Sequence, residues 1–297
     1  MNQSLKGAIF TMAGGICWGL SGSMGQYLFQ NQGMDSRWLV PIRLGLSGII
    51  LLIYCSLRYG KDVLAPFRTG KSAALTLVYG IPGVAICQLL YFLCIQLGSA
   101  SLATILQSLS PIPILLVTCL IVHRLPRAGE ILGIILALCG VFCLVTHGHP
   151  GSMSVSWAAV AAGLGSALCI MVYNMTGKKL LEYFPVELLQ GWSFFFGGIL
   201  FFLVFRAWTI PYVPSLIGCL GVIFIVIVGN IMAFTLYMSG VGLISPVKGI
   251  MYGFSEPVTA ALVTVFLMGS SFTVWDALGF ALIFTMLIVT SIKPKNQ

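Results

Sequence analysis

Charge is what this 297-residue chain has least of: charged residues make up 7% of it, and only seven are acidic. A water-soluble globule needs far more polar surface to cover its core, so the shortage excludes that class and makes lipid the solvent for most of the chain. Also missing are a C-x-x-C pair, an H-E-x-x-H helix, a glycine-rich phosphate loop with its lysine, and a nucleophile elbow. Zinc cages, hydrolytic centres and nucleotide-driven pumping lose their usual residues with them. The nine cysteines lie inside apolar runs and read as small fillers, not as disulfide partners or metal ligands. Neither a cofactor nor an enzymatic reaction is expected.

What the chain does have is apolar residues, 59% of the total. A hydrocarbon core takes about 20 helical residues to cross. Ten runs qualify, at 5–29, 37–57, 72–96, 101–122, 128–146, 156–177, 187–206, 214–239, 244–268 and 273–292. Continuous runs of this length lack the short alternation of an outer-membrane barrel, and only a helix satisfies its own backbone in lipid. The fold class is therefore all-α and polytopic. The first run, Gly7 to Phe29, is longer than a signal-peptide core and no A-x-A-like site follows it, so it reads as a retained helix.

The net charge of +8 does not point to nucleic acid, because the basic residues sit in short clusters at span ends. With a cytoplasmic N-terminus, Lys6, Arg58, Lys61, Arg68, Lys71, Arg124, Arg127, Lys178, Lys179, Lys293 and Lys295 all fall inside, against Arg37 and Arg206 outside. That bias places both termini in the cytoplasm of a multi-pass inner-membrane protein.

The chain also matches itself. Tyr91 and Pro111 superpose on Tyr237 and Pro257 at an offset of 146 (237 − 91), and Glu130 and Gly133 fall on Asp276 and Gly279. Gly14 and Gly48 match Gly163 and Gly197 at 149. The reading is a duplication, residues 1–148 and 149–297, of five helices each. Five is odd, so the second copy enters the membrane from the opposite side and the repeats are inverted. Such repeats give a molecule two near-equivalent packings around a midplane site, the architecture of alternating access. Glycines along helix 1 (Gly14, Gly15, Gly19, Gly22, Gly25) and in-span prolines (Pro82, Pro111, Pro113, Pro246, Pro257) read as close-packing faces and bends.

The helix-1 segment Cys17-Trp18-Gly19-Leu20-Ser21-Gly22, and Ser-Leu-Ser-Pro at 108–111 mirrored by Phe-Ser-Glu-Pro at 254–257, carry a family likeness. With ten spans in a five-plus-five duplication, the chain resembles the drug/metabolite transporter superfamily, EamA-type branch. The resemblance covers essentially the whole chain and implies transport of amino acids, amines, nucleotide-linked sugars or other metabolites. The acidic residue that relatives often carry at the ends of helices four and nine is replaced here by His123-Arg124 and Gly269-Ser270.

A charge held in the membrane needs a partner or water. Glu256 lies half-way along helix 9 and reads as a structural ion partner, a proton acceptor or a counter-charge for a cationic ligand. Lys248 stands two turns earlier with Tyr252 between them, and either touches substrate or reaches the cytoplasmic interface. Arg43, two turns into helix 2, is a snorkelling anchor or a carboxylate or phosphate clamp. Trp18, Tyr79, Tyr91, Tyr173, Trp192, Tyr237 and Tyr252 are mid-span aromatics, either packing or lining a cavity. Gln88, Gln107, Ser108, Ser110, Asn174, Gln190 and Asn230 either bridge helices or line a wet path. His147 and His149 read as a solvated loop.

The candidate substrate site is Glu256, Arg43, Trp18, Tyr91, Tyr252, Lys248, Tyr79, Trp192 and Gln88, with no metal. The leading expectation is a monomeric secondary transporter exporting an amino acid or amine, with protons as a candidate coupling ion. Uptake of a cationic amine, and a non-transporting scaffold or intramembrane enzyme, are the alternatives.

Overall fold

In the computed structural model, residues 3–147, 155–244, 249, 252–269 and 272–291 are described; His149, Pro246, Lys248 and the junction at 148/149 lie outside them. Among the described residues every regular element is helical. In chain order they are α1 (Gln3–Asn31), α2 (Ser36–Tyr59), α3 (Gly70–Val78), α4 (Ile86–Leu97), α5 (Ala100–Gln107), α6 (Pro111–Ile121), α7 (Ala128–Thr146), α8 (Trp157–Leu180), α9 (Val186–Val204), α10 (Leu216–Phe224), α11 (Ala233–Val241), α12 (Ser255–Phe266) and α13 (Val274–Ser291).

Seven helical stretches of 19 to 32 residues are long and apolar enough to cross a membrane. The apolar helix of α12 is shorter, as is the segment Val274–Val289 within α13. α1 runs 29 residues, but glycines and serines dilute its hydropathy. Leu57, Leu120, Leu138, Val213, Phe266 and Val274 stand exposed on the outside of the bundle while small residues face inward. Hydrocarbon suits that distribution and water does not.

Helix ends follow local chemistry. Asp35 caps α2 by accepting from the Arg37 amide at 2.7 Å, and the Arg37 guanidinium pairs back at 2.9 Å. That guanidinium holds the Asp35 carboxyl below the usual carboxylate range. Ser156 and Ser215 cap α8 and α10. At α7 the Glu130 carboxylate accepts from the Arg127 amide at 2.6 Å, and at α13 the Asp276 carboxylate accepts from the Thr273 amide at 2.8 Å. Both are the reach-back of a capping box, an acid three residues into the helix returning to an orphan N–H.

Several segments depart from uniform α-helix, among them the 3-10 helix Gly60–Phe67. A π-helical segment, Tyr79–Ala85, joins α3 to α4, and a second, Ile225–Met232, joins α10 to α11. Pro82 sits in the first, whereas the second has no proline to mark it. The run expected as continuous over 101–122 is instead broken at Ser108–Ser110. Pro111 has no N–H to give the preceding turn and so starts a new helix as its first residue. Phe254 makes the corresponding turn before α12, whose third residue is Pro257.

α2 packs along α9, α7 along α13, α1 against α11 and α12, and α4 against α8. The α2 and α9 pair is antiparallel: Gly198 faces Gly45, Gly48 faces Phe195, and Gly191 faces Leu52. The approach is backbone on backbone, since a methyl at Gly198 would come 2.6 Å from the Gly45 Cα. Gly140 and Gly279 do the same between α7 and α13, where each Cβ would lie 3.0 Å from the other's carbonyl oxygen.

Gly198→Leu is expected to wedge this seam and to lower stability by about 2 kcal/mol or more, read as a fall in melting temperature in detergent. Gly129→Ala, where a Cβ meets nothing within 4 Å, is the matched change that leaves it unmoved. Asp35→Ala is expected to cost about 1 kcal/mol at neutral pH. Because the folded-state pKa of Asp35 is depressed, that contribution is present above the ordinary carboxylate pKa and lost as pH falls through the depressed one. Melting curves of parent and variant should therefore converge in acid.

Candidate functional site

The glycines of α1 form a face that other elements enter. A methyl at Gly19 would lie 2.6 Å from the Glu256 carbonyl oxygen, and one at Gly25 would lie 2.6 Å from the Phe92 ring. Gly15 receives Ser255, whose hydroxyl donates to the Met12 carbonyl at 2.9 Å, and Gly22 receives the Tyr91 hydroxyl. α1 thus brings the start of α12 and one stripe of α4 to a single groove.

That stripe is Cys87, Gln88, Tyr91 and Phe92, which helical spacing puts on one side of α4. Arg43 of α2 meets it. One of its terminal nitrogens, Nη2, donates to Gln88 Oε1 at 3.1 Å and also to Asn230 Oδ1, and its guanidinium lies 3.9 Å from the Phe92 ring centroid. Asn230, in the second π-helical segment, turns its own amide nitrogen to Ser47 Oγ at 2.7 Å, and Ser47 donates to the Arg43 carbonyl at 2.7 Å. Arg43 is 2% exposed, so it is no snorkelling anchor. It joins α2, α4 and the second π-helical segment from within the bundle. Its Nε and Nη1, and the Tyr91 hydroxyl, are buried with no hydrogen-bond partner among the described residues.

Glu256 is the second residue of α12 and is partly buried. Its carboxylate makes no hydrogen bond or ion pair among the described residues. The positive end of α12 at its first turn suits the carboxylate. Trp18 closes this end of the groove, with its ring centroid 4.9 Å from Tyr237 and 6.1 Å from Phe234. Gln107 Nε2 donates to Cys87 Sγ at 3.4 Å, extending the polar lining to α5.

Arg43, Gln88, Tyr91, Glu256 and Trp18 are thus brought to one neighbourhood. Tyr79 stands apart in the first π-helical segment, donating to Gln190 Oε1 of α9 at 3.4 Å and lying edge-on to Tyr173 at 6.2 Å. Trp192 is elsewhere again: its indole donates to the Val63 carbonyl at 2.9 Å, and it packs on Phe67 and Phe196. Tyr252 is partly buried one turn before Glu256. Lys248 lies outside the described residues. Asn174 is exposed and bonds only to its own helix, the Ile170 carbonyl, at 2.9 Å. His147, at the end of α7, is partly exposed, and its Nε2 meets Asp276 Oδ1 at 3.1 Å. Ser47 and Phe92 are members that sequence reading passed over. The signal available was their place one turn beyond Arg43 and Gln88.

The EamA-like transporter family model matches residues 5–146 and 157–292. An uncharacterized inner membrane transporter of Salmonella typhimurium, YicL, is 31% identical over 297 residues, covering 100% of this chain and 99% of that protein. The uncharacterized transporters YetK and YrdR of Bacillus subtilis are 24% and 22% identical, covering 78% and 99% of this chain and 72% and 94% of their own. A solved crystal structure superposes with a TM-score of 0.62 at 19% identity over 95% of each chain, which is a likeness of fold. On the matches that span both ends of the sequence, this chain belongs to the EamA-like transporter family.

Proposed function

We propose that the protein is a secondary transporter of the inner membrane that moves a small amino-bearing metabolite outward by alternating access between two inverted five-helix halves, 1–148 and 149–297. Both termini are cytoplasmic in this reading, one chain suffices, and Glu256 is where a substrate ammonium or a proton sits.

Several features support the inversion. The π-helical segments begin 146 residues apart (225 − 79), as do the reach-back caps at Arg127 and Thr273, and Pro111, first in α6, and Pro257, third in α12, share that offset. Packing is reciprocal in the same sense: α1 lies on the rod containing the second π-helical segment, as α8 lies on the rod containing the first. The two stretches matched by the family model fall one in each half. A discontinuous helix in each half, with its N-terminus inside the bundle, is a common build for a midplane site.

One observation carries the function. Each π-helical segment is tied to the central α2 and α9 pair through the polar contacts of one residue, Asn230 to Arg43 and Ser47 of α2 and Tyr79 to Gln190 of α9. In the antiparallel register of that pair Gln190 stands level with about residue 53 of α2, roughly 15 Å along the axis from Arg43. The two contacts sit at opposite ends of one seam, so releasing one while keeping the other opens one side only. Secondary transport needs that arrangement, and a static scaffold does not.

Asn230→Leu and Gln190→Leu are expected to loosen opposite ends. Hydrogen exchange in nanodiscs should rise near the start of α2 for the first and near its end for the second, with both variants losing flux in proteoliposomes. Rises at the same end would remove the alternating-access reading. Glu256→Gln is expected to cut gradient-driven flux by at least about tenfold while the melting temperature holds. Collapse of the fold without any active folded fraction would make Glu256 a structural residue instead.

A further inference from the structure

The end of α2 and the start of α9 are joined by the Tyr59 hydroxyl, which donates to Glu187 Oε1 at 2.6 Å, with Arg58 3.7 Å from the same oxygen. Beyond Tyr59 the 3-10 helix Gly60–Phe67 folds back onto α9, fixed by the Trp192 indole on the Val63 carbonyl and by the Phe67 ring edge-on to Trp192 at 4.9 Å. Anchored at those two points, it stands off from the turn ahead of α9 and leaves a cavity of about 310 Å³. The walls are mixed: Tyr59, Asp62 and Arg68 bring polar atoms, and Phe184, Pro185 and Leu188 bring apolar ones. Nη2 of Arg68 donates to Asp62 Oδ1 at 2.7 Å, and the other donors of this exposed guanidinium are open.

A second cavity, also about 310 Å³, lies further into the span between α2 and α9, where Ile49, Leu52, Ile53, Ser56, Leu57 and Phe195 line it. Leu52, Ser56 and Tyr59 follow one another at i, i+4 and i+7, and Leu188 and Phe195 are seven apart, so helical spacing puts both cavities on the same face of the pair. Seven residues rise roughly 10 Å. The face is therefore polar at the helix ends and apolar one step inward, the order of a phospholipid headgroup and its acyl chain.

Charge around the outer cavity is unequal. Arg58, Lys61, Arg68, Lys71, Lys178 and Lys179 gather at the ends of α2, the 3-10 helix, α3 and α8, against Asp62, Glu182 and Glu187. Asp62 and Glu187 are already paired, whereas the four lysines are exposed and form no ion pair among the described residues. Basic residues at span ends are accounted for by topology alone; a cavity set among them, continued by an apolar one, is not.

The geometry points to a binding site for an anionic phospholipid, its headgroup phosphate at Arg68 and Lys61 and one acyl chain along Leu52, Ser56 and Phe195. Each basic residue near a membrane surface favours an anionic headgroup about fivefold. A zwitterionic headgroup carries an ammonium that the lysines repel, and a soluble phosphate would leave the apolar cavity bare. The lipid touches both α2 and α9, so binding stabilises the pair in the arrangement seen here.

The test titrates the purified full-length protein in mild detergent with phosphatidylglycerol, phosphatidylcholine or glycerol phosphate, reading bound lipid by native mass spectrometry and the melting temperature in parallel. Phosphatidylglycerol is expected to bind one-to-one and at least about tenfold tighter than phosphatidylcholine, while glycerol phosphate leaves the melting temperature unmoved. Lys61→Gln combined with Arg68→Gln removes only an exposed ion pair from the fold, so the lipid-free melting temperature should hold while the preference falls at least about tenfold. Lys6→Gln combined with Arg206→Gln, an equal loss of charge away from the groove, should keep the preference. Ser56→Phe retains every charge and fills the apolar cavity, and should weaken phosphatidylglycerol by roughly tenfold.

Equal binding of the two lipids, an unchanged preference in the Lys61 and Arg68 double variant, or unchanged affinity in Ser56→Phe would overturn the site. Stabilisation by glycerol phosphate equal to that by the lipid would make the outer cavity a place for soluble anions and overturn it too. Flux is no part of the readout, so the transport reading stands or falls separately.

Discussion

Side chains that are absent from one side of α1 set the distances on which the interior depends. In lipid there is no hydrophobic drive between helices, so what holds them is the closeness of backbones and the few polar contacts that closeness permits. With nothing at Gly15, Gly19, Gly22 and Gly25, the first turn of α12 and the aromatic stripe of α4 reach the same groove. A methyl at any of these positions would push Ser255, Glu256, Tyr91 or Phe92 away from α1. The charged site is thus a consequence of helix packing before it is a consequence of charge.

Arg43 illustrates the cost and its compensation. Removing a guanidinium from water is expensive, and full compensation by protein acceptors would yield a rigid structural pin. Here the compensation is partial: two amide oxygens and one aromatic face are supplied, and the rest is left open. The Arg124 and Glu130 pair shows the other solution, a two-point fork at 2.8 Å on both oxygens, placed near a helix start outside the groove.

The helical passages were legible because long apolar runs have one solution in lipid, and Arg43 and Glu256 were legible because an embedded charge always asks for a reason. Proline marked Pro111 and Pro257, but as bends; that Pro111 would begin a new helix after the turn at Ser108–Ser110 is a stronger effect of the missing N–H than a bend. The second π-helical segment, Ile225–Met232, had no signal of its own beyond its offset from Pro82. Trp192 and Arg43 looked alike as mid-span candidates, yet the indole of Trp192 is committed to the Val63 carbonyl, a partner 129 residues away in sequence. Side-chain direction, set by contacts remote in sequence, decides membership of the groove.

The two contacts across the α2 and α9 seam are unequal, and the inequality bears on direction. The contact near the start of α2 is a charged donor on Asn230 backed by a second bond from Asn230 to Ser47. The contact near the start of α9 is a single neutral bond of 3.4 Å between Tyr79 and Gln190. Charge-assisted bonds are about twice as strong as neutral ones, so the Tyr79 end yields first. In the topology proposed above, α2 enters from the outside and α9 from the inside, so the weaker contact is the inner one, and the export proposed above needs that side to open to the cytoplasm first.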